Sequence, residues 1–434
     1  MSKTKGDGKS VAVIGAGWAG CTAAVELARR GHAVTLYESS RTPGGRARGV
    51  DVHGRTLDNG QHILLGAYSQ TLALMQRVGV DARAAMLRLP LQMRYPGGTG
   101  MDFIAARLPA PLHVAVALWR ATGLARADKL ALARFNTSAR WMGWTLHVDC
   151  SVAELLQRFD QTENLVRLMW RPLCLAALNT PLESASAQVF LAVLRDSLGA
   201  RRAASDMLLP RCDMGALFPV AAGRYVARHG GTVRLGAKVS AIASGWTVNG
   251  TDTFDAIVLA TPAATTAALL RDLAPATAAQ LDAFTYEPIV TCYLQYDPAL
   301  RLPLPMYALL DQPLHGHWGQ FVFDRGQLDA AQAGLLSVVV SAASAAVALD
   351  QAALAAAVAQ QLAVALQLPA LAAPVWTQVI AEKRATFACT PGLQRPANDI
   401  GLHHLVLAGD YTAGEYPATL ESAVRSGMAA AKLL

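Results

Sequence analysis

The sequence predicts an α/β fold, with a parallel sheet assembled from separated stretches of chain and a second, α+β unit that has its own mixed sheet and helices. Three observations predict it. Residues 11–14 (VAVI) form an apolar run that ends at a glycine cluster, followed by a helical pattern and a second apolar run: one β-α-β unit. Short strand-like runs return at 232–235, 256–260 and 405–408. Between them, 289–296 and 335–340 read as strands of a different sheet, and 85–205 carries long helical patterns with few strands.

The elements follow in order. The first run is apolar throughout, as a parallel strand covered on both faces requires. Residues 18–30 place Ala, Leu and Val at helical spacing and stop at Gly31, a residue suited to the left-handed turn that ends a helix. Residues 33–38 (AVTLYE) are the second strand. Residues 41–62 are turn-rich and basic, and 68–78 read as a helix. The stretch 206–262 reads as strand, helix 215–229, strand 232–235 and strand 256–260. Ala352 to Leu368 is a helix, 405–408 a last strand and 418–432 a last helix. The predicted division is a discontinuous first domain of 1–80, 206–262 and 395–434, and a second of 81–205 and 263–394. A chain of 434 residues is expected to form more than one core.

Charged residues make up 16% of the chain, below the typical quarter or so of a soluble domain. That leans toward an apolar ligand or surface. The net charge of +7 fits either a solvated surface or attraction to anionic headgroups or a diphosphate. Nucleic acid is not expected, because the arginines are dispersed and no basic run is interleaved with aromatics. The six cysteines form no CxxC pair, so no metal site is expected, and a reducing cytoplasm fits. Cys21 reads as a small buried hydrophobe. The first ten residues have no apolar core and do not read as a secretory leader. No segment reaches 18 clean apolar residues, so no membrane span is expected; Phe103 to Trp119 is broken by Arg107, Pro109 and Pro111.

Gly15-Ala16-Gly17-Trp18-Ala19-Gly20 is GxGxxG, placed between a strand and a helix, with Glu38 at the end of the second strand. Gly15 makes the tight turn, Gly17 lets backbone N–H groups approach a pyrophosphate, and Gly20 lets helix pack on strand. Trp18 and Ala19 fill the variable places and count with the cofactor contacts. The helix N-terminus favours the phosphate charge, and Glu38 accepts from the adenosine ribose.

Pro43-Gly44-Gly45-Arg46-Ala47-Arg48 follows the second strand and resembles the GGR element of the amine oxidase and carotenoid desaturase flavoproteins. Leu57-Asp58-Asn59-Gly60-Gln61-His62 stands where that superfamily continues toward the flavin ring. LVLAGD at 405–410 resembles the strand whose Gly409-Asp410 pair meets the cofactor. Tyr416 to Gly427 (YPATLESAVRSG), with Thr419 and Leu420, resembles the turn and helix whose N-terminus points at the flavin. Lys238-Val239 and Ala260-Thr261-Pro262 match its middle segment. The resemblance implies non-covalently bound FAD in a Rossmann-type domain. Asn59, Gly60, Gln61, Val239, Gly409, Asp410, Thr419 and Leu420 join the cofactor set, and no metal is implied.

Within that superfamily the chain is most similar to the hydroxysqualene dehydroxylases of bacterial hopanoid synthesis. The match rests on residues 59–68 (NGQHILLGAY), 170–180 (WRPLCLAALNT), 188–199 (QVFLAVLRDSLG) and 205–218 (SDMLLPRCDMGALF). Arg171 departs from it, standing where an acidic residue is expected. The resemblance implies that hydroxysqualene loses its hydroxyl as water, that reduced flavin supplies a hydride, and that squalene results. The protein would add an apolar tunnel, a proton and exclusion of water. The ordered candidates for the proton are His62, Tyr416 and Glu415. His62 either protonates the hydroxyl or only hydrogen-bonds flavin, Tyr416 lines the cavity, and Glu415 is either an acid or a solvated loop carboxylate. Trp141, Trp144 and Trp170 either line the lipid path or belong to the core. A lipid substrate implies peripheral contact with the inner membrane and partner enzymes of squalene synthesis. Segment 101–120 suits an interfacial helix or a core helix. The rival readings are a polyene desaturase, an amine oxidase with Lys383 as a flavin-linked lysine, and a non-catalytic lipid carrier. No second GxGxxG follows a strand, so the reductant is expected to be free or a partner protein.

Overall fold

A computed structural model describes residues 8–434; the rest of the polar start lies outside the described residues. Strand β1 (Ser10–Ile14) runs into helix α1 (Trp18–Arg29), which returns through β2 (Ala33–Tyr37). The middle of the chain contributes helices α2 (Leu112–Arg120), α3 (Arg126–Trp141) and α4 (Ala187–Ser197). Then come β3 (Thr232–Arg234) and β4 (Ala256–Leu259). Strands β5 (Tyr286–Gln295), β6 (Met306–Ala308), β7 (Phe321–Asp324), β8 (Leu335–Val340) and β9 (Trp376–Phe387) follow. The chain closes with β10 (Leu405–Leu407) and α5 (Leu420–Lys432).

Two five-stranded sheets organise these elements. The first, in the order β3-β2-β1-β4-β10, is parallel throughout. It is the α/β sheet the sequence predicts, gathered from the start, the middle and the end of the chain. Its central strands are fully covered: Val11, Ala12, Val13, Ile257 and Val258 have no exposed surface. The second sheet, β6-β7-β8-β5-β9, pairs antiparallel. Its one clear irregularity is a register shift between Glu287 and Ile289.

Glycines set two close approaches. A Cβ on Gly20 would lie 1.8 Å from the Gly15 carbonyl oxygen, so only glycine lets α1 start this close to β1. On α5, a Cβ on Gly427 would lie 2.3 Å from the Ala19 carbonyl oxygen, which lets α5 pack along α1.

Some strands were not anticipated. Residues 86–104, read as helical, form three short strands: 86–89 pairs with 207–210, and 92–94 with 102–104. Three two-residue strands between 242 and 253 make a small separate sheet. Segment 101–120 is helical only from Leu112. Among the described residues no helix is long and apolar enough to cross a membrane.

Candidate functional site

The crevice begins at the end of β1. Gly15 has φ +105°, a conformation that L side chains avoid, and its N–H donates to the Tyr37 carbonyl at 2.8 Å. The chain then turns into α1, whose N-cap is Gly17. No side chain caps this helix, and its first turn holds no acidic residue. Its amide groups therefore remain available to an anion. The second glycine turn packs directly on the first: Gly44 N–H donates to the Ala16 carbonyl at 2.8 Å. A Cβ added at Gly45 would lie 3.2 Å from Gly17 Cα, whereas one added at Gly17 meets nothing closer than Gly45 Cα at 3.9 Å. Trp18 and Ala19 are buried at the start of α1, with the Trp18 ring 5.0 Å from Phe218.

Glu38 is buried at the end of β2. Its carboxylate accepts from the Ala16 N–H at 2.9 Å and the Ser40 N–H at 2.8 Å, which fixes it beside the turn. Arg46 donates to Asp410 at 2.6 Å and to the Ala385 carbonyl at 2.6 Å, joining the second turn to the end of β10. Asn59 is held on the same loop, donating to the Arg46 carbonyl at 2.5 Å and accepting from the Arg48 N–H at 3.2 Å. Gly409 N–H donates to Ser426 Oγ at 2.9 Å, and Val239 is buried in the core. Thr419 caps α5 by accepting from Ser422 N–H at 3.2 Å, and Leu420 begins the helix. The first turn of α5 contains Glu421, so this N-terminus is less positive than that of α1.

These residues fit an FAD. Gly15, Gly17, Gly45, Asn59, Gly60, Gln61 and His62 keep some accessible surface among buried neighbours, so they line a crevice. Two polar atoms beside them are buried without a partner, Trp18 Nε1 and Thr291 Oγ1. Thr291, on β5, lies close to Gly60: a Cβ placed there would be 3.8 Å from its hydroxyl and 3.6 Å from His62 Cε1.

Below the Gly60 loop sits Arg325, only 1% exposed. It donates to Gln61 Oε1 at 3.0 Å and to Gln332 Oε1 at 2.9 Å, and Ser337 Oγ donates to the same Gln61 oxygen at 3.0 Å. Among the described residues Arg325 forms no salt bridge. Sequence reasoning missed Thr291, Ser337 and Arg325; only the return of the second sheet to this loop identifies them.

The three proton candidates fall in two places. His62 Nδ1 lies 3.1 Å from the Gly60 carbonyl, so that nitrogen carries the hydrogen. Burial pulls the imidazole down to about 4, against the Gly60 hydrogen bond, and the Arg325 cation adds to the lowering. Tyr416 and Glu415 form a separate cluster with α4. The Tyr416 hydroxyl donates to Asp196, and burial followed by this bond pushes it up to about 12. Arg195 bridges Asp196 at 2.7 Å and Glu415 at 3.0 Å. Glu415 is 67% exposed, and Lys383 is exposed on β9. Arg171 finds its acid in Asp311, 2.9 Å away across a half-buried ion pair. Trp170 is core, packed on Phe135 at 4.7 Å, Trp144 is buried, and Trp141 is 93% exposed.

Asp58, at the end of a short strand two residues before Gly60, is buried and accepts from Met214 N–H at 2.7 Å. Burial raises its carboxyl to about 7, against the Met214 bond and Arg325. The folded value therefore lies above the unfolded one of about 4. Its contribution to stability is full below the unfolded value and is lost as pH rises through about 7. Thermal unfolding of Asp58→Asn against the parent should show the variant gaining relative stability from about pH 4 to about pH 8. A constant difference across that range would show that the carboxyl ionises as it does in the unfolded chain.

A family model for flavin containing amine oxidoreductases matches residues 18–434. The chain belongs to this family. As a flavin containing amine oxidoreductase it is an FAD-dependent oxidoreductase, and the crevice of Gly15, Gly17, Glu38, Gly45 and Asp410 is the candidate place for the cofactor. The chain is 28% identical over 446 residues to a hydroxysqualene dehydroxylase of Sinorhizobium fredii, covering 98% of each. It is 30% identical over 452 residues to one from Rhodopseudomonas palustris, again covering 98% of each. An oxidoreductase structure from Methanosarcina mazei shares the fold, with a TM-score of 0.70 at 15% identity, covering 98% of this chain and 100% of that one.

Proposed function

We propose that this flavoenzyme removes the hydroxyl of hydroxysqualene reductively, giving squalene for hopanoid synthesis. The observation that carries the choice within the family is Arg325. A buried cation that forms no salt bridge among the described residues, close enough to His62 to lower its basicity, opposes a protonated amine at the Gly60–His62 loop. An uncharged alcohol with a hydrocarbon body meets no such opposition. The surroundings agree: Ile63, directly after His62, and Ala418, just before α5, pack on the same apolar core as Trp170, Phe135 and Phe190. The full-length similarity to two hydroxysqualene dehydroxylases supports the same reading.

We propose also that 1–80, 206–262 and 395–434 hold the cofactor, and 81–205 with 263–394 the substrate. Bound FAD, once reduced, supplies the hydride. The chain's own tasks are to exclude water around the allylic carbon and to bring a proton to the leaving oxygen, so that alcohol, hydride and proton give hydrocarbon and water. His62 is the first candidate donor. Such a substrate is drawn from a membrane, which places the protein on the cytoplasmic face beside the enzymes of squalene synthesis.

The test is anaerobic. Prereduced protein mixed with hydroxysqualene should yield squalene in one turnover. Flavin reoxidation without squalene, or turnover of an amine or desaturation of a polyene by oxidised protein instead, would replace this reading with an oxidising one.

A further inference from the structure

Helix α2 is only half covered by the protein. His113 and Ala117 face the core, while Leu112, Ala115 and Trp119, spaced at helical intervals, face outward. Trp119 is 76% exposed. The turn before α2 adds exposed Leu108, Pro109 and Pro111. Helix α3 repeats the pattern, with Ala131, Leu132, Phe135 and Ala139 buried and Leu130 and Trp141 outward. The two helices are tied where they meet: Lys129 Nζ donates to the Trp119 carbonyl at 2.8 Å. Large apolar side chains this exposed cost solubility and mark a contact surface when they cluster.

Charge says what covers it. Between residues 103 and 148 the cations are Arg107, Arg120, Arg126, Lys129, Arg134 and Arg140, and the sole acid is Asp128. Asp128 is buried and engaged by Ala125 N–H, Thr162 and Asn164. Among the described residues none of these six cations forms a salt bridge. Indole and aliphatic side chains ringed by unpaired arginines match the boundary between acyl chains and anionic headgroups. Beside the same helix is a cavity of ≈ 340 Å³, lined by Ile104, Ala105, Ala106, Ala117 and Ala121, with Asp102, Arg120 and Thr122 as its polar members.

We infer that the face made by the 104–111 turn, α2 and the outer side of α3 docks on an anionic lipid bilayer. The inference deepens the proposed lipid chemistry and rests on it for the purpose of docking. The protein inserts Leu112 and Trp119 among acyl chains, with the arginines at the phosphate level.

The test uses FAD-loaded full-length protein and two vesicles, phosphatidylcholine alone and phosphatidylcholine with phosphatidylglycerol. The parent should float with the anionic vesicles at least about tenfold more strongly than with neutral ones, and lose that preference in high salt. Leu112→Ser with Trp119→Ser, and separately Arg134→Glu with Arg140→Glu, should each weaken flotation about tenfold or more while keeping bound flavin. Equal binding of parent and variants, or no preference for anionic vesicles, would overturn the inference. So would a parent dimer that the Leu112 and Trp119 changes turn into a monomer, because the face would then bind a second copy. Detergent-dispersed hydroxysqualene separates the two readings. Flotation without squalene formation leaves docking standing and removes the substrate assignment, while turnover in detergent without flotation does the reverse.

Discussion

Replacing Gly17 by valine is expected to leave a folded chain that retains no FAD. The two halves of that result come from different atoms. Gly17 has φ −71° and ψ 179°, extended backbone that valine adopts without strain. The added Cβ would meet nothing closer than Gly45 Cα at 3.9 Å. The fold therefore tolerates the side chain, but its branches fill the crevice over the uncapped amides of α1, where a pyrophosphate must approach. Gly20→Ala is the control. Its Cβ would sit 1.8 Å from the Gly15 carbonyl oxygen, so it should lower thermal stability by forcing α1 away from β1. Absorbance of released flavin and circular dichroism read the two variants. A yellow Gly17→Val protein with parental flavin content would show that the crevice is not the cofactor site.

The contrast explains which parts of the site were legible in the sequence. Gly15, Gly20 and the Gly44-Gly45 turn are written locally, because positive φ or a backbone contact admits glycine alone. Glu38 and Asp410 are legible because each ends a strand of the parallel sheet, where loops converge. Thr291, Arg325 and Asp196 carry no such mark. Thr291 is an ordinary strand residue until β5 brings its hydroxyl beside Gly60, more than two hundred residues earlier in the chain. Arg325 looks like any surface arginine, and only the packing of β7 and β8 over Gln61 buries it. The missed strands have a related cause: two- and three-residue strands at 92–94 and 242–253 are too short for an alternating pattern to show.

The same distinction applies to the proton donors. In the sequence, Tyr416 and Glu415 rank behind His62 as neighbours of flavin-facing segments. In the fold, Glu415 points to solvent beside Arg195, and Tyr416 gives its hydroxyl hydrogen to Asp196. Both are engaged in holding α4 against the turn before α5. Only His62 stands in the crevice with a ring nitrogen uncommitted.

His62→Ala is accordingly expected to keep FAD and to slow the single-turnover reaction roughly 10²- to 10⁴-fold, the usual range for a lost general acid. In the parent, Nδ1–H stays on the Gly60 carbonyl, so the reactive proton must be carried on Nε2 by the imidazolium. That form is scarce at neutral pH, because burial and Arg325 hold the group near about 4. The parental rate should therefore rise about tenfold per unit as pH falls toward that value, and level off below it. In the alanine variant the slope should vanish along with the rate. The measurement is anaerobic stopped-flow of prereduced enzyme with hydroxysqualene, following flavin reoxidation, with flavin content checked at each pH. Arg325→Gln gives a second, opposite handle: removing the cation should raise the basicity of His62 and move the levelling point upward in pH. Should the alanine variant react as fast as the parent, with the same product and a flat profile in both, His62 is structural. The role then passes to Tyr416→Phe and Glu415→Gln under the same assay. If those also match the parent, water carries the proton into the crevice.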